Sequence, residues 1–273
     1  MENLSRKLLI GDYYQYFNYP VRKQIVQLYK DNKIDLLESI LDGLIKKESQ
    51  INLEKNIIPI TIFDEDYPPL LLESYDPPLV LYCKGDISLL QHQKKVAIVG
   101  SRNPLVYSLD STKKIIYDLK QKEESDLIIV SGLAKGIDGC SHRVALAHNI
   151  PTIAVLGFGF DYMYPNEHRQ LAHEIAEKGL LISEYPPHIG INRWQFVARN
   201  RIISGLCKAV VIVEAKEKSG SLITAELALA ENREVFIVSG QGLEKAYYGS
   251  HALVQEGAKL LLRVDEVLEE YNI

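Results

Sequence analysis

Val96-Ala97-Ile98-Val99-Gly100-Ser101-Arg102 is the stretch that decides the fold: four apolar residues run unbroken into a glycine and then turn polar. A run with no polar alternation is buried on both faces, as in a parallel strand, and a helical pattern follows it over residues 105–122. The unit recurs three times. Leu127-Ile128-Ile129-Val130 leads into Ser131-Gly132-Leu133-Ala134-Lys135-Gly136-Ile137-Asp138, and Ile153-Ala154-Val155-Leu156 leads into Gly157-Phe158-Gly159-Phe160-Asp161. Val210-Val211-Ile212-Val213-Glu214 leads on to Ser219-Gly220-Ser221. In an open parallel sheet such turns collect along the carboxyl edge of the strands, where ligands bind. Small residues there let a ligand approach the backbone, and free amides at the helix starts favour an anion. The sequence thus predicts a phosphate-binding edge.

Working outward, strands are expected at 79–83, 96–99, 127–130, 152–156, 180–183, 209–213, 235–238 and 259–262. Helices are expected near 105–122, 137–148, 166–178, 194–205, 220–232, 249–256 and 264–270. Strand–helix alternation at this spacing implies right-handed crossovers and an α/β, doubly wound, mostly parallel sheet. Before it, apolar residues three and four apart (Leu8, Leu9, Tyr13; Ile25, Leu28, Tyr29; Leu37, Ile40, Leu41, Leu44) predict short amphipathic helices up to about residue 50. Pro59, Pro68-Pro69 and Pro77-Pro78 make residues 57–94 an extended connection in which helix is disfavoured. The expected division is 1–55 helical, 56–94 connecting segment with the first strand of the sheet domain, and 95–273 a Rossmann-like domain.

The 273 residues carry a net charge of −5, so no global positive field draws in a polyanion and any anion site must be local. Cys83, Cys140 and Cys207 form no CxxC pair, which suggests a reducing compartment, with Cys140 and Cys207 as small core residues. The start of the chain has no signal-peptide pattern and no apolar run is long enough to span a bilayer, so a cytoplasmic protein with no membrane partner is expected. The seven histidines make no HExxH, no serine stands in a GxSxG elbow, and Gly157-Phe158-Gly159 lacks the rest of a dinucleotide fingerprint. The expectation is a protein that is not an enzyme and has neither metal nor cofactor.

Taken in order, Gly100-Ser101-Arg102, Ser131 to Asp138, Gly157 to Asp161 with Tyr164-Pro165, Ile182-Ser183-Glu184-Tyr185-Pro186-Pro187, Phe196 to Leu206 and Ser219 to Ala225 resemble the DNA-processing protein A family, DprA, also called Smf. The likeness covers residues 60 to 260. It implies an extended Rossmann-like sheet behind a small SAM-like helical N-terminal domain. It also implies a homodimer that binds single-stranded DNA during natural transformation, protects it, helps displace single-strand-binding protein and loads the RecA recombinase. Against the family pattern, the winged-helix domain common at the C-terminus is expected to be lacking. Ser239-Gly240 stands for a usual Pro-Gly, His251 for Asn, and Ser108 for a frequent Gly. Apolar dimer contacts are expected from the last strands and residues 243–253.

Gly100, Ser101 and Arg102 are assigned to DNA, since a guanidinium at a strand end can grip a phosphate with two hydrogen bonds; a surface ion pair is the alternative. Ser131, Gly132, Lys135 and Gly136 form a second cradle before a helix start, with Asp138 binding backbone amides at that start. Phe160 is assigned to base stacking and Phe158 to the core. Between Arg193 and Lys218 six cations face only Glu214 and Glu217, and Asn200 and Arg201 are placed in the cleft, with Phe196 on the buried side of their helix. Lys218, Ser219, Gly220, Ser221 and Thr224 open another helix, where the serines serve either phosphate or as ordinary caps. A second reading is a nucleotide-binding or nucleotide-hydrolysing Rossmann protein akin to the phosphoribohydrolases. In that reading Leu227 stands where the catalytic carboxylate belongs and Glu226 is out of register.

Overall fold

The computed structural model describes residues 2–45, 50–122, 126–240 and 244–271. Helices α1 (Glu2–Tyr13), α2 (Tyr19–Lys30) and α3 (Ile34–Leu44) come first. Their three- and four-residue spacing turns Leu4, Leu8, Ile25, Leu28, Leu37 and Leu41 inward. Asn18 caps α2, its side-chain oxygen accepting from the Val21 amide at 3.1 Å.

Then follow β1 (Ile58–Thr61), α4 (Pro69–Leu72), β2 (Val80–Gly85), β3 (Lys95–Val99), α5 (Val106–Lys120), β4 (Ile128–Ser131), α6 (Ile137–Ala147), β5 (Thr152–Leu156), α7 (Arg169–Lys178) and β6 (Leu180–Ser183). The chain continues with α8 (Arg193–Gly205), β7 (Ala209–Ile212), α9 (Gly220–Ala230), β8 (Glu234–Val238), α10 (Tyr248–Gln255), β9 (Lys259–Leu261) and α11 (Asp265–Glu269).

The sheet order is β1-β2-β6-β5-β4-β3-β7-β8-β9. From β6 to β9 every pair is parallel, while β1 and β2 add an antiparallel edge. The chain winds outward from β3 through β4 and β5 to β6, then returns to lay β7 against the other side of β3. Order therefore reverses between β3 and β7, which is where an open α/β sheet leaves its crevice. Val99 pairs with Ile212 at that point.

Both faces of the central strands are covered, which explains their unbroken apolar runs. Ala97, Val99, Val130, Val155 and Val210 face a core shared with α8, α9 and the N-terminal helices. Val96, Ile98, Ile129 and Val211 face α5, α6 and α11, and Ala154, Leu156 and Leu181 face α7.

Two expectations for residues 57–94 are corrected. Ile58–Thr61 is a strand, an edge position where Pro59 is tolerated because only one side must pair. Pro69–Leu72 is one helical turn: Pro68 and Pro69 occupy its cap and first position, where a missing amide proton costs nothing. Of the cysteines, Cys207 is buried and Cys140 only half-buried. Among the described residues no helix is long and apolar enough to cross a membrane, and no His/Cys/Asp/Glu cluster could hold a metal.

Candidate functional site

At the reversal between β3 and β7 lies a cleft of about 340 Å³. Gly100, Ser101 and Arg102 come to it from the end of β3, and Ala134 and Asp138 from the turn into α6. Phe196, Val197, Arg199, Asn200 and Ile203 come from α8, and Lys216, Ser219, Gly220, Ser221 and Thr224 from the segment opening α9. A larger recess of about 910 Å³ lies at the other end of α9, against α2. Its lining sets Lys23, Lys30 and Arg233 beside Glu73 and Glu231, and none of the glycine turns at the sheet's reversal reaches it.

The turns hold one another. Gly136 sits at φ +75°, and a Cβ on it would lie 2.2 Å from the Ser101 carbonyl oxygen, so the position requires glycine. The Ile137 amide donates to that same oxygen at 3.1 Å, tying the start of α6 to the β3 turn. Leu105, further along the β3 loop, donates its amide to Glu214 Oε2 at 2.8 Å, and the Ser108 hydroxyl donates to the same atom at 2.6 Å. Ser108 is fully buried and also meets the Tyr247 hydroxyl at 2.6 Å. The serine that stands for glycine in the family pattern thus pins the loop carrying Arg102.

Arg102 is exposed, and its guanidinium lies over the Phe196 ring, 5.7 Å from the centroid. Lys216 is exposed too. Neither makes a close ion pair among the described residues, although Arg102 lies near enough to Asp138 to act on its charge. Ser219 opens α9 with extended backbone and caps no amide with its side chain, its hydroxyl meeting that of Ser221 at 2.9 Å instead. The first amides of α9 are consequently left for a ligand at the rim. Asn200 Nδ2 donates to the Gly220 carbonyl at 3.1 Å and joins α8 to this turn.

Arg199 lies beneath the cleft floor, 3% exposed. It donates to the carbonyls of Gly132 (2.6 Å) and Val155 and to Asn200 Oδ1 (3.2 Å). Burial lowers its pKa to about 10, which leaves it charged at neutral pH. Burial raises the Asp138 pKa while Arg199 and Arg102 oppose the rise, so the one carboxylate lining the cleft is sheltered by cations. Asp138 Oδ2 also accepts from the Ala134 amide at 3.4 Å, as expected for an acid at a helix start.

The structure brings Gly100, Ser101, Arg102, Asn200, Ser219, Gly220, Ser221 and Thr224 together and leaves seven assigned residues outside the lining. Ser131 is fully buried and spends its hydroxyl on the Ile98 carbonyl at 2.6 Å. Gly132 seats Arg199, and Gly136 shapes the loop behind Arg102. Lys135 points outward to Glu167 at 2.5 Å. Lys218, at φ +59°, is exposed beside the cleft. Phe160 packs against two of the apolar cores. Arg201 is held by Glu184 (3.1 and 2.6 Å) and Asp76 (3.0 Å), on the side of α8 facing away from the cleft. Burial works against its charge, yet these carboxylates outweigh burial and raise its pKa.

Sequence reading missed Arg199, Lys216, Phe196 and Val197. Residues 199 and 201 are two apart, about 200° around a helix, so only one can face the cleft. Arg199, three residues on from Phe196 and four before Ile203, shares their face, a spacing that could have revealed it. Of the segment expected at a dimer contact, residue 243 lies outside the described residues; Leu253 is buried, while Leu260 and Leu262 of the last strand region are exposed.

The family model for DNA recombination-mediator protein A matches residues 59–272. DNA processing protein DprA of Streptococcus pneumoniae is 41% identical over 271 residues, covering 99% of this chain and 90% of its own length. That of Bacillus subtilis is 43% identical over 217 residues, 80% of this chain and 72% of its own. The X-ray structure of the S. pneumoniae protein superimposes with a TM-score of 0.83 at 37% identity over 97% of each chain. A structure of DNA processing protein A from Helicobacter pylori, solved for its single-stranded DNA binding mode, gives 0.69 at 31% identity over 81% of this chain and 98% of its own. With a sheet that reverses at its glycine turns and a match from β1 to the last helix, the chain belongs to the DNA recombination-mediator protein A family.

Proposed function

We propose that the cleft between β3 and β7 binds the sugar–phosphate backbone of single-stranded DNA without cleaving it. The observation that carries the reading is the convergence, at the sheet's reversal point, of two unpaired cations, Arg102 and Lys216, with the uncapped start of α9. Arg102 and Phe196 together offer a cation and a ring at the mouth, a combination that suits a phosphate and its neighbouring base. The solved H. pylori relative, studied for single-strand binding, supports the same ligand.

The nucleotide-hydrolysing reading gains no support. Leu227 is not a carboxylate, and Glu226 is exposed and outside the cleft lining. The wider role is the one that the family resemblance implies, and holding a strand without cutting it is compatible with it. In that role a homodimer receives transforming DNA in the cytoplasm, protects it, displaces single-strand-binding protein and passes the strand to RecA.

Gel-shift titrations with single- and double-stranded oligonucleotides across ionic strength test the reading. Preference for the single strand is expected, with a log–log salt slope near −0.7 per neutralised phosphate. Arg102→Glu should weaken binding at least tenfold and make the slope shallower. Unchanged binding by Arg102→Glu and Lys216→Glu together would remove the cleft from the account.

A further inference from the structure

The aromatic face of the cleft continues one ring past its lining. We propose that Tyr164, in the loop after β5, receives the base next to the one held at Phe196, so that the strand runs along the sheet edge from α9 to the β5 loop. The inference rests on the reading of the cleft as a single-strand site. Phe196 lines the cleft and carries the Arg102 guanidinium over its ring. The Tyr164 ring lies 5.5 Å from the Phe196 ring, inclined by 50°. One cation and two rings thus form a series of direct contacts that starts inside the cleft. Tyr164 is 45% exposed, and among the described residues its hydroxyl makes no hydrogen bond.

Strand order sets the direction. Along the carboxyl edge the turns after β7, β3, β4 and β5 stand in that order. Neighbouring strands lie about 4.8 Å apart, so the line from α9 to the Tyr164 loop covers about 14 Å, which is several nucleotides at about 3.4 Å each. Free charge falls along this line. Lys216 and the open amides of α9 stand at one end, with Arg102 next. At the β5 end Lys135 is spent on Glu167 at 2.5 Å, and Asp161 is exposed in the Tyr164 loop itself. That end offers a ring and no free cation, which suits a base rather than a phosphate. The loop is also fixed: the Gly159 amide donates to the Ile189 carbonyl at 2.9 Å and the Asp161 amide to the Pro187 carbonyl at 3.1 Å. A ring held on an ordered loop loses little freedom when a base stacks on it.

The test uses the full chain and oligo-dT of about twenty nucleotides. With iododeoxyuridine in place of thymidine, irradiation of the wild-type complex should attach the strand to the peptide that carries Tyr164, a readout that does not depend on a variant folding. Tyr164→Ala should bind about tenfold more weakly with an unaltered salt slope, because a stacking surface is lost and no charge is. Tyr164→Phe, which keeps the ring, should bind as the wild type does. On a strand of abasic nucleotides Tyr164→Ala and the wild type should bind alike. Attachment that spares the Tyr164 peptide, or wild-type affinity in Tyr164→Ala, would overturn the proposal, as would a loss accompanied by a shallower slope. Where Arg102→Glu still weakens binding, such a result removes Tyr164 alone; where Arg102→Glu binds normally, the cleft reading fails with it.

Discussion

The Arg199 guanidinium fills the space that a side chain at Gly132 would need: a Cβ there would lie 2.4 Å from Nη1, the atom that donates to the Gly132 carbonyl. The floor of the cleft is therefore a charged group threaded under a glycine turn, and the turn's backbone oxygen is its partner.

Gly132→Ala should displace that guanidinium and strand the carbonyls of Gly132 and Val155. The expected cost is about 2–4 kcal/mol, the penalty of unsatisfied buried groups around a buried charge. Urea denaturation reads it directly, and a midpoint equal to the wild type's would contradict the role given to Arg199.

Arg201→Ala should act on stability before it acts on DNA. It leaves Glu184, 6% exposed, with Arg22 at 3.9 Å and the Tyr185 hydrogen bond, and loss of one partner of a buried pair costs about 3–5 kcal/mol. Single-strand binding by the folded fraction should be within a few-fold of the wild type. A large loss of affinity at full stability would return Arg201 to the binding surface.

The N-terminal helices dock through a second buried carboxylate with the opposite pH response. Asp12 is 2% exposed, and burial raises its pKa to about 6, against the pull of Arg22 at 3.7 Å and the Tyr82 hydroxyl at 3.1 Å. A carboxyl whose folded pKa lies above its unfolded value favours folding below about pH 4 and loses that contribution as pH rises to about 6. Glu184 runs the other way: burial would raise its pKa, but Arg201 and Arg22 hold it below the usual value, so its contribution is lost in acid. Subtracting Asp12→Asn from the wild type isolates the first group. The difference should shift by about 3 kcal/mol against the wild type between pH 4 and 7. A difference that does not vary with pH would mean that Asp12 titrates normally.

The buried strands were legible because a sheet covered on both faces demands unbroken apolar runs, which few loops imitate. β1 was not, since four residues at an edge with one buried side resemble any extended connection. The cleft was half legible. Gly100-Ser101-Arg102 lies at the end of β3 and Ser219-Gly220-Ser221 at the helix start that follows β7, and such turns converge by topology. What a residue does there depends on the direction of its side chain, and α8 hid that. Its buried face carries Arg199 and Asn200 beside Ile202 and Ile203, so no contrast of polarity marks which side is inside. Phe160 and Phe196 were hard to place for a related reason: both are partly buried against the same apolar core, and only Phe196 also lines the cleft.

The most direct measurement is the structure of this chain with oligo-dT bound. The account predicts phosphate oxygens within hydrogen-bonding distance of Arg102 and of the first amides of α9, between β3 and β7. A strand resolved elsewhere, with that cleft free of it, would contradict the central claim.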